Sequence, residues 1–447
     1  MEIPHKVAAL MPSLLTDLEH LVTIPSVAFP GYPAEPVELM GHQTLDLVRA
    51  AGFTNAELMP VPHGYPPIYA EVPGPPGSPV VMLYAHYDVQ PALPSQGWTS
   101  DPWTPTRKDD GRIYGRGAAD DKGGIVAHLG TLRAFDGRPP CTVRLILEGM
   151  EETESNLPGF VRAHPDLFAC DVFVICDTGN LRVAEPVFTT ALRGDVACVV
   201  TVSTLQHPLH SGVFGGPAPD AMMALARLLS TLHDDDGNVA VDGVTTGVWE
   251  GADFSEAEFR ASADLLDGVQ LTGTGPVSHR LWGKPSVNAI GIDMTSVAGS
   301  SNVLIPQARA KLSMRIVPGS TPEKELDALA AHLVAHAPWG AQVSVERTKA
   351  APPFACRTDG PGYAAARLAL EEAFGKAPGE AANGGSIPLL RYLQDASPEG
   401  EFLLWGVSDI AAARIHGSDE SVDPAELQRM IVAQALLLRN LASSAGS

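Results

Sequence analysis

Three short apolar runs punctuate the first 180 residues: PVVMLYA (79–85), TVRLILE (142–148) and DVFVICD (171–177). Each is of strand length and lacks the polar alternation of a half-exposed strand, so each is expected to be covered on both faces. Between the first two, GGIVAHLGTLRAF (123–135) repeats its apolar residues at helical spacing. Strands alternating with helices predict an α/β domain built on a mainly parallel sheet.

From about residue 191 the order changes. Strand patterns at DVACVVTVST, SVNAIGIDM, ARAKLSMRIVP and AQVSVERT interleave with helical patterns at APDAMMALARLLSTLH (218–233) and TPEKELDALAAHLVAHA (321–337). Strand, helix, strand, strand, helix, strand is the order of a ferredoxin-like α+β unit. It predicts a second domain over 191–350, inserted into a first domain made of 1–190 and 351–447. The stretch 234–285 interrupts the unit as a long excursion, with one short helix expected in SEAEFRASADLL (255–266). After 350 the α/β pattern resumes with helix GYAAARLALEEAF and strand EFLLWGV. A last helix is opened by Asp423-Pro424-Ala425-Glu426, which offers a capping Asp, a Pro in the first turn and a Glu three residues after the cap.

Composition narrows the function classes. With 447 residues, 45% of them apolar, the chain is long enough for two or three domains with real cores. Thirty basic against 52 acidic residues give a net charge of −22, which argues against nucleic acid or an anionic membrane as partner. The N-terminal segment has acids at helical spacing rather than a basic start before an apolar block, and no apolar run approaches the roughly 20 residues that span a bilayer. Neither a signal peptide nor a membrane span is expected. The five cysteines form no Cys-x-x-Cys pair and several fall in apolar runs, as expected for reduced thiols of a cytoplasmic protein.

The candidate chemistry sits where the apolar runs end. The first runs into His86-Tyr87-Asp88, the second into Glu148, Glu151 and Glu152, and the third into Asp177. Sites in open α/β sheets form outside the carboxyl ends of the strands, so three strands aim metal-binding groups at one crevice. Asp120 and Asp121 stand side by side in GRGAADDKGG, just before a helix. That stretch looks like a dinucleotide fingerprint, but an aspartate replaces the third glycine, close to where a pyrophosphate would lie. His416, after the strand EFLLWGV, reaches the same edge. Two histidines with at least three carboxylates suit zinc, manganese or cobalt, and the lack of thiols argues against a structural zinc. Three carboxylates at one point repel in a low-dielectric crevice; two divalent cations would more than neutralise them.

The ordered set LYAHYDVQP, YGRGAADDKG, LEGMEETES, VICDTG, LHSGVFGG, LSMRIVPG, NGGSIP and the late His416 resembles the carnosinase-type metallodipeptidases. These stand within the wider family of aminoacylases, desuccinylases and glutamate carboxypeptidases that use two adjacent zinc or manganese ions. The resemblance runs from about residue 80 to 420. It implies that Asp120 bridges two divalent ions, zinc first and manganese as the alternative. His86 and Asp177 would complete one ion's site, and Glu152 and His416 the other's. Asp88 would orient the His86 imidazole, and Glu151 would be the general base; the residues alone leave open which of Glu151 and Glu152 faces the metals. His210 would stabilise the oxyanion from the other subunit of a homodimer formed through the small domain. Arg315, Ser386 and Asn302 would bind the substrate, Arg315 clamping its terminal carboxylate.

The implied reaction is hydrolysis of small peptides, dipeptides with a free carboxylate first. One departure bears on how a free substrate amino group would be held: relatives often carry an acidic residue before Gly-Gly-Ser, where this chain has Asn383. An N-acyl amino acid amidohydrolase would share every metal ligand and differ in how the amine side is held. A silent binding relative of the fold is the third reading, and the presence of all ligands and of Glu151 speaks against it.

Overall fold

The computed structural model describes residues 2–385 and 387–444. The chain divides into two compact units, one of Met1–Thr190, Cys356–Ala381 and Leu389–Ser447, the other of Ala191–Ala355 and Ala382–Pro388.

The first unit opens with α1 (Ile3–Val22), whose buried Val7, Met11, Leu14, Leu18, Leu21 and Val22 recur at helical spacing and turn one face to the core. Strands β1 (Glu57–Leu58), β2 (Ile68–Val72), β3 (Val80–His86), β4 (Thr142–Glu148) and β5 (Val172–Ile175) follow, with helix α2 (Lys122–Ala134) between β3 and β4. Nearly every residue of α2 is buried, because it packs against β3, α1 and the last helix of the chain. Gly130 makes that possible: a Cβ there would lie 3.0 Å from both Leu14 and Ile431 side chains.

The second unit holds β6 (Gly194–Ser203), α3 (Ala221–Ser230), β7 (Ser286–Asp293), β8 (Gln307–Ile316), α4 (Pro322–Ala335) and β9 (Gln342–Ala351). Its sheet runs β7-β8-β6-β9 with every neighbouring pair antiparallel. Alternate residues of β8, Ala308, Ala310, Leu312, Met314 and Ile316, join Ala224, Leu225 and Leu228 of α3 and Leu326, Leu329 and Leu333 of α4 in one core. The helix expected over 218–233 is shorter, because the Asp220 carboxylate accepts the Met222 and Met223 N–H groups and fixes the start at Ala221. In the excursion a helix spans Glu256–Ser262 behind a reciprocal Ser255–Glu258 capping box.

The chain returns to the first unit with α5 (Pro361–Phe374), β10 (Glu401–Leu404) and α6 (Pro424–Ser444). The Asp423 carboxylate accepts the Ala425 and Glu426 N–H groups at 2.7 and 3.2 Å, the cap read from sequence. Strand β10 pairs parallel to β5 and completes the order β1-β2-β4-β3-β5-β10. Four adjacent strands are parallel, β4-β3-β5-β10, while β2 and β1 add an antiparallel edge. The fold is a mixed α/β fold, and the carboxyl ends of β3, β4 and β5 lie side by side.

Candidate metal centre

His86 is the last residue of β3 and is wholly buried. Its Nε2 lies 3.0 Å from Asp120 Oδ1 and 3.6 Å from Asp177 Oδ1. The other oxygen of Asp120, Oδ2, lies 2.9 Å from His416 Nε2, which is in turn 3.2 Å from Glu152 Oε1. Two donor triads result, His86-Asp120-Asp177 and Asp120-Glu152-His416, each with ligand atoms within 4.8 Å of one another. Asp120 belongs to both.

The neighbouring acids divide by geometry. Asp121, also buried, turns away: its Oδ1 accepts the Gly124 N–H at the start of α2, and its Oδ2 the His86 N–H. The Asp88 carboxylate accepts the Glu151 N–H at 3.0 Å and the Glu152 N–H at 3.1 Å, one on each oxygen. His86 Nδ1 is nearer the main-chain oxygen of Asp88, at 3.1 Å, than its carboxylate, at 3.5 Å. Asp88 therefore fixes the glutamate loop as well as the imidazole. Gly149 lets that loop leave β4, since a Cβ there would collide with the Tyr87 ring.

The charge state of the cluster tests whether cations fit. Burial, then the charges of Asp177, Glu152 and Glu148, push the Glu151 carboxyl well above the ordinary glutamate range, with His86 opposing. Burial likewise raises Asp177 to about 6. Burial works against a charged imidazole, yet the facing carboxylates of Asp120 and Glu152 raise His416 to about 10, and those of Asp120, Asp177 and Asp88 raise His86 well above its ordinary value. Protons on the imidazoles are thus the counter-charge that the carboxylates draw in without a metal. Glu152 Oε1 is shielded from solvent, and the counter-charge it faces is the His416 imidazole 3.2 Å away. Mixed imidazole and carboxylate donors, excess negative charge and a carboxylate oxygen shielded from solvent all fit a pair of divalent cations.

Several residues of the centre carry no signal in the sequence. Glu420 is wholly buried and accepts four donors: the Ala119 and Asp120 N–H groups on Oε1, and the Gly117 N–H and Arg116 Nη1 on Oε2, at 2.7–3.0 Å. It holds the loop that presents Asp120. Gln90 donates to Glu152 Oε2 at 2.7 Å. Buried Lys122 donates to the Leu21 and Ile24 carbonyls, and burial lowers its ammonium to about 7. Glu420 lies four residues after His416, and that proximity was the one available hint.

The remaining sequence candidates lie in the second unit. His210 is exposed, and its Nδ1 accepts the Gly212 N–H at 3.0 Å. It pairs with Val303 in a short antiparallel ladder, and the Asn302 carbonyl accepts the Ser211 N–H, so His210 and Asn302 are neighbours. Arg315 on β8 has Nη1 4.0 Å from Asp195 Oδ2, a carboxylate already taken by Lys349 at 2.7 Å and Ser313 at 2.7 Å. Asn383 Oδ1 accepts the Gly385 N–H. Ser386 lies outside the described residues.

The family model for peptidase family M20/M25/M40 matches residues 82–440. The chain belongs to that family. Among M20 relatives, the cysteinylglycine-S-conjugate dipeptidase of Corynebacterium striatum is 39% identical over 369 residues, 81% of each chain. The beta-Ala-His dipeptidase of Rattus norvegicus is 32% identical over 370 residues, 78% of this chain and 74% of that protein. The crystal structure of human carnosine dipeptidase 1 superposes with a TM-score of 0.81 at 25% identity, covering 99% of this chain and 98% of the other. An M20 metallopeptidase with divalent cations is the reading these relatives and the donor triads share.

Proposed function

We propose that this chain is a two-metal dipeptidase that hydrolyses small peptides bearing a free carboxylate. The observation that carries the reading is Asp120, one carboxylate shared between two donor triads in an M20 peptidase. His86, Asp120 and Asp177 would hold one cation and Asp120, Glu152 and His416 the other, zinc first and manganese as the alternative. Cations bound there would acidify a water and polarise the scissile carbonyl. Glu151 takes the proton of the attacking water on its carboxylate and then delivers it to the nitrogen of the leaving amine. Asp88 keeps Glu151 in place through its backbone N–H. His210, whose Nδ1 accepts a hydrogen bond, carries its proton on Nε2 and donates it to the oxyanion. Arg315 takes the substrate's terminal carboxylate, with Ser386 and Asn302 beside it.

The second unit acts as a ferredoxin-like lid and dimerisation domain. Its strand order supports the ferredoxin-like topology. Dimerisation is supported by β7, an edge strand with Ile290, Ile292 and the following Met294 and Val297 exposed, which fits pairing with a second copy and the delivery of His210 across a homodimer. No described helix is long and apolar enough to cross a membrane. The five unpaired cysteines support a reducing, cytoplasmic setting.

The test is amine release from free and N-acylated dipeptides and amino acids by metal-stripped protein restored with zinc or manganese. Cleavage of free dipeptides is expected. Turnover confined to N-acyl substrates would instead make the chain an amidohydrolase, with Asn383 as the residue to examine.

A further inference from the structure

The excursion of the second unit lines an open cavity of about 370 Å³. Its walls combine apolar groups, chiefly Val239, Phe259, Leu271 and Val277, with the cations Arg193, Arg280 and Lys284. Among the described residues no Asp or Glu lines it, although the chain carries a net charge of −22. Two of the cations are spent on the walls. Arg280 donates to the Gly275 and Thr272 carbonyls, and Lys284 to Thr274 and Asn238.

Arg193 differs. Among the described residues its one side-chain hydrogen bond is to Ser286 at 3.3 Å, and its Nε is buried without an acceptor. Burial, then the like charge of Arg315, lower its guanidinium to about 10. Its backbone N–H donates to the Asn383 carbonyl, and a Cβ on Gly384 would lie 3.0 Å from its Nη2. Ser286 is also the cross-strand partner of Arg315. The nearby carboxylate, Asp195, is engaged by Lys349 and Ser313. A half-buried guanidinium with an unsatisfied Nε, at the rim of an apolar, acid-free cavity, calls for an anion attached to an apolar body.

We propose that Arg193 is a second carboxylate-binding residue beside Arg315, and that the cavity receives the side chain of the substrate's carboxy-terminal residue, selecting large apolar ones over glycine. This rests on the dipeptidase reading and on Arg315 as a carboxylate clamp. A pocket of this size holds a leucine or phenylalanine side chain, and burying one is worth a preference on the order of tenfold or more.

Calorimetry on metal-stripped, full-length protein tests it without turnover, using Ala-Leu, Ala-Gly and Ala-Leu amide as probes. Ala-Leu is expected to bind at least about tenfold more tightly than Ala-Gly, and the amide to lose most of that affinity. Leu271→Trp, which fills the cavity, should weaken Ala-Leu about tenfold more than Ala-Gly; Arg193→Gln should weaken both, with partial recovery in Arg193→Lys. Circular dichroism confirms that each variant is folded. Equal affinity for Ala-Leu and Ala-Gly in the parent protein, or an unchanged ratio in a folded Leu271→Trp, overturns the proposal. Failure of the metal-loaded parent to hydrolyse either dipeptide would overturn the dipeptidase reading instead, whatever the calorimetry gives.

Discussion

Asp88 holds Glu151 and Glu152 by their backbones, one N–H on each carboxylate oxygen at 3.0 and 3.1 Å. Two adjacent glutamates are thereby locked in fixed and different directions: Glu152 toward His416, and Glu151 outside both donor triads. An amide at position 88 keeps one acceptor and turns an N–H₂ against the other backbone donor. Asp88→Asn should therefore lower metal affinity about 10–100-fold, read by calorimetry, and lower kcat with it. Unchanged affinity and rate would remove Asp88 from the centre.

Glu151→Gln separates base from ligand. Turnover should fall by at least about 10²–10⁴-fold, while metal affinity stays close to that of the parent protein. A comparable loss of metal would make Glu151 a ligand and require the two glutamates to exchange roles.

Glu420 offers a test of support at a distance from the donor triads. It forms a buried ion pair with Arg116 and accepts three backbone N–H groups of the Asp120 loop. Removing one partner of such a pair leaves an uncompensated buried charge, so Glu420→Ala should cost about 3–5 kcal/mol, measured by denaturant unfolding. Metal affinity should drop as well, because Asp120 loses its frame.

The pH dependence of the metal-free protein has a definite sign. His416, raised to about 10, and His86, raised well above its ordinary value, bind protons more tightly in the folded state than unfolded. Their contribution to stability is complete below about pH 6.5 and is lost as pH rises through the folded values. Asp177, raised to about 6, acts in the same direction at lower pH, since its proton is held more tightly when folded. Metal-stripped protein should thus lose thermal stability from pH 6 to 9. Loading should reverse the trend and release about two protons per chain near pH 7, measured by calorimetry in buffers of different ionisation enthalpy.

Much of this is legible in the sequence. The three apolar runs are β3, β4 and β5, and the ends they predict are where His86, the glutamate loop and Asp177 stand. What the sequence could not resolve is the division between neighbours. Asp120 and Asp121 look alike in the chain, but one caps a helix and the other faces two imidazoles, a difference set by backbone direction at one turn. Glu420 and Arg193 were missed for a related reason. Each acts through long-range backbone contacts or burial, 300 residues away for Glu420 and Asp120, and neither stands in a pattern that signals it. The excursion between 234 and 285 has too little periodicity to predict a cavity wall.

The most direct measurement is amine release from a free dipeptide plotted against equivalents of zinc, and separately manganese, added to metal-stripped protein. The shared Asp120 implies activity that rises to a plateau at about two equivalents per chain. A plateau at one equivalent, or no amine at any metal load, would contradict a centre built on one bridging carboxylate.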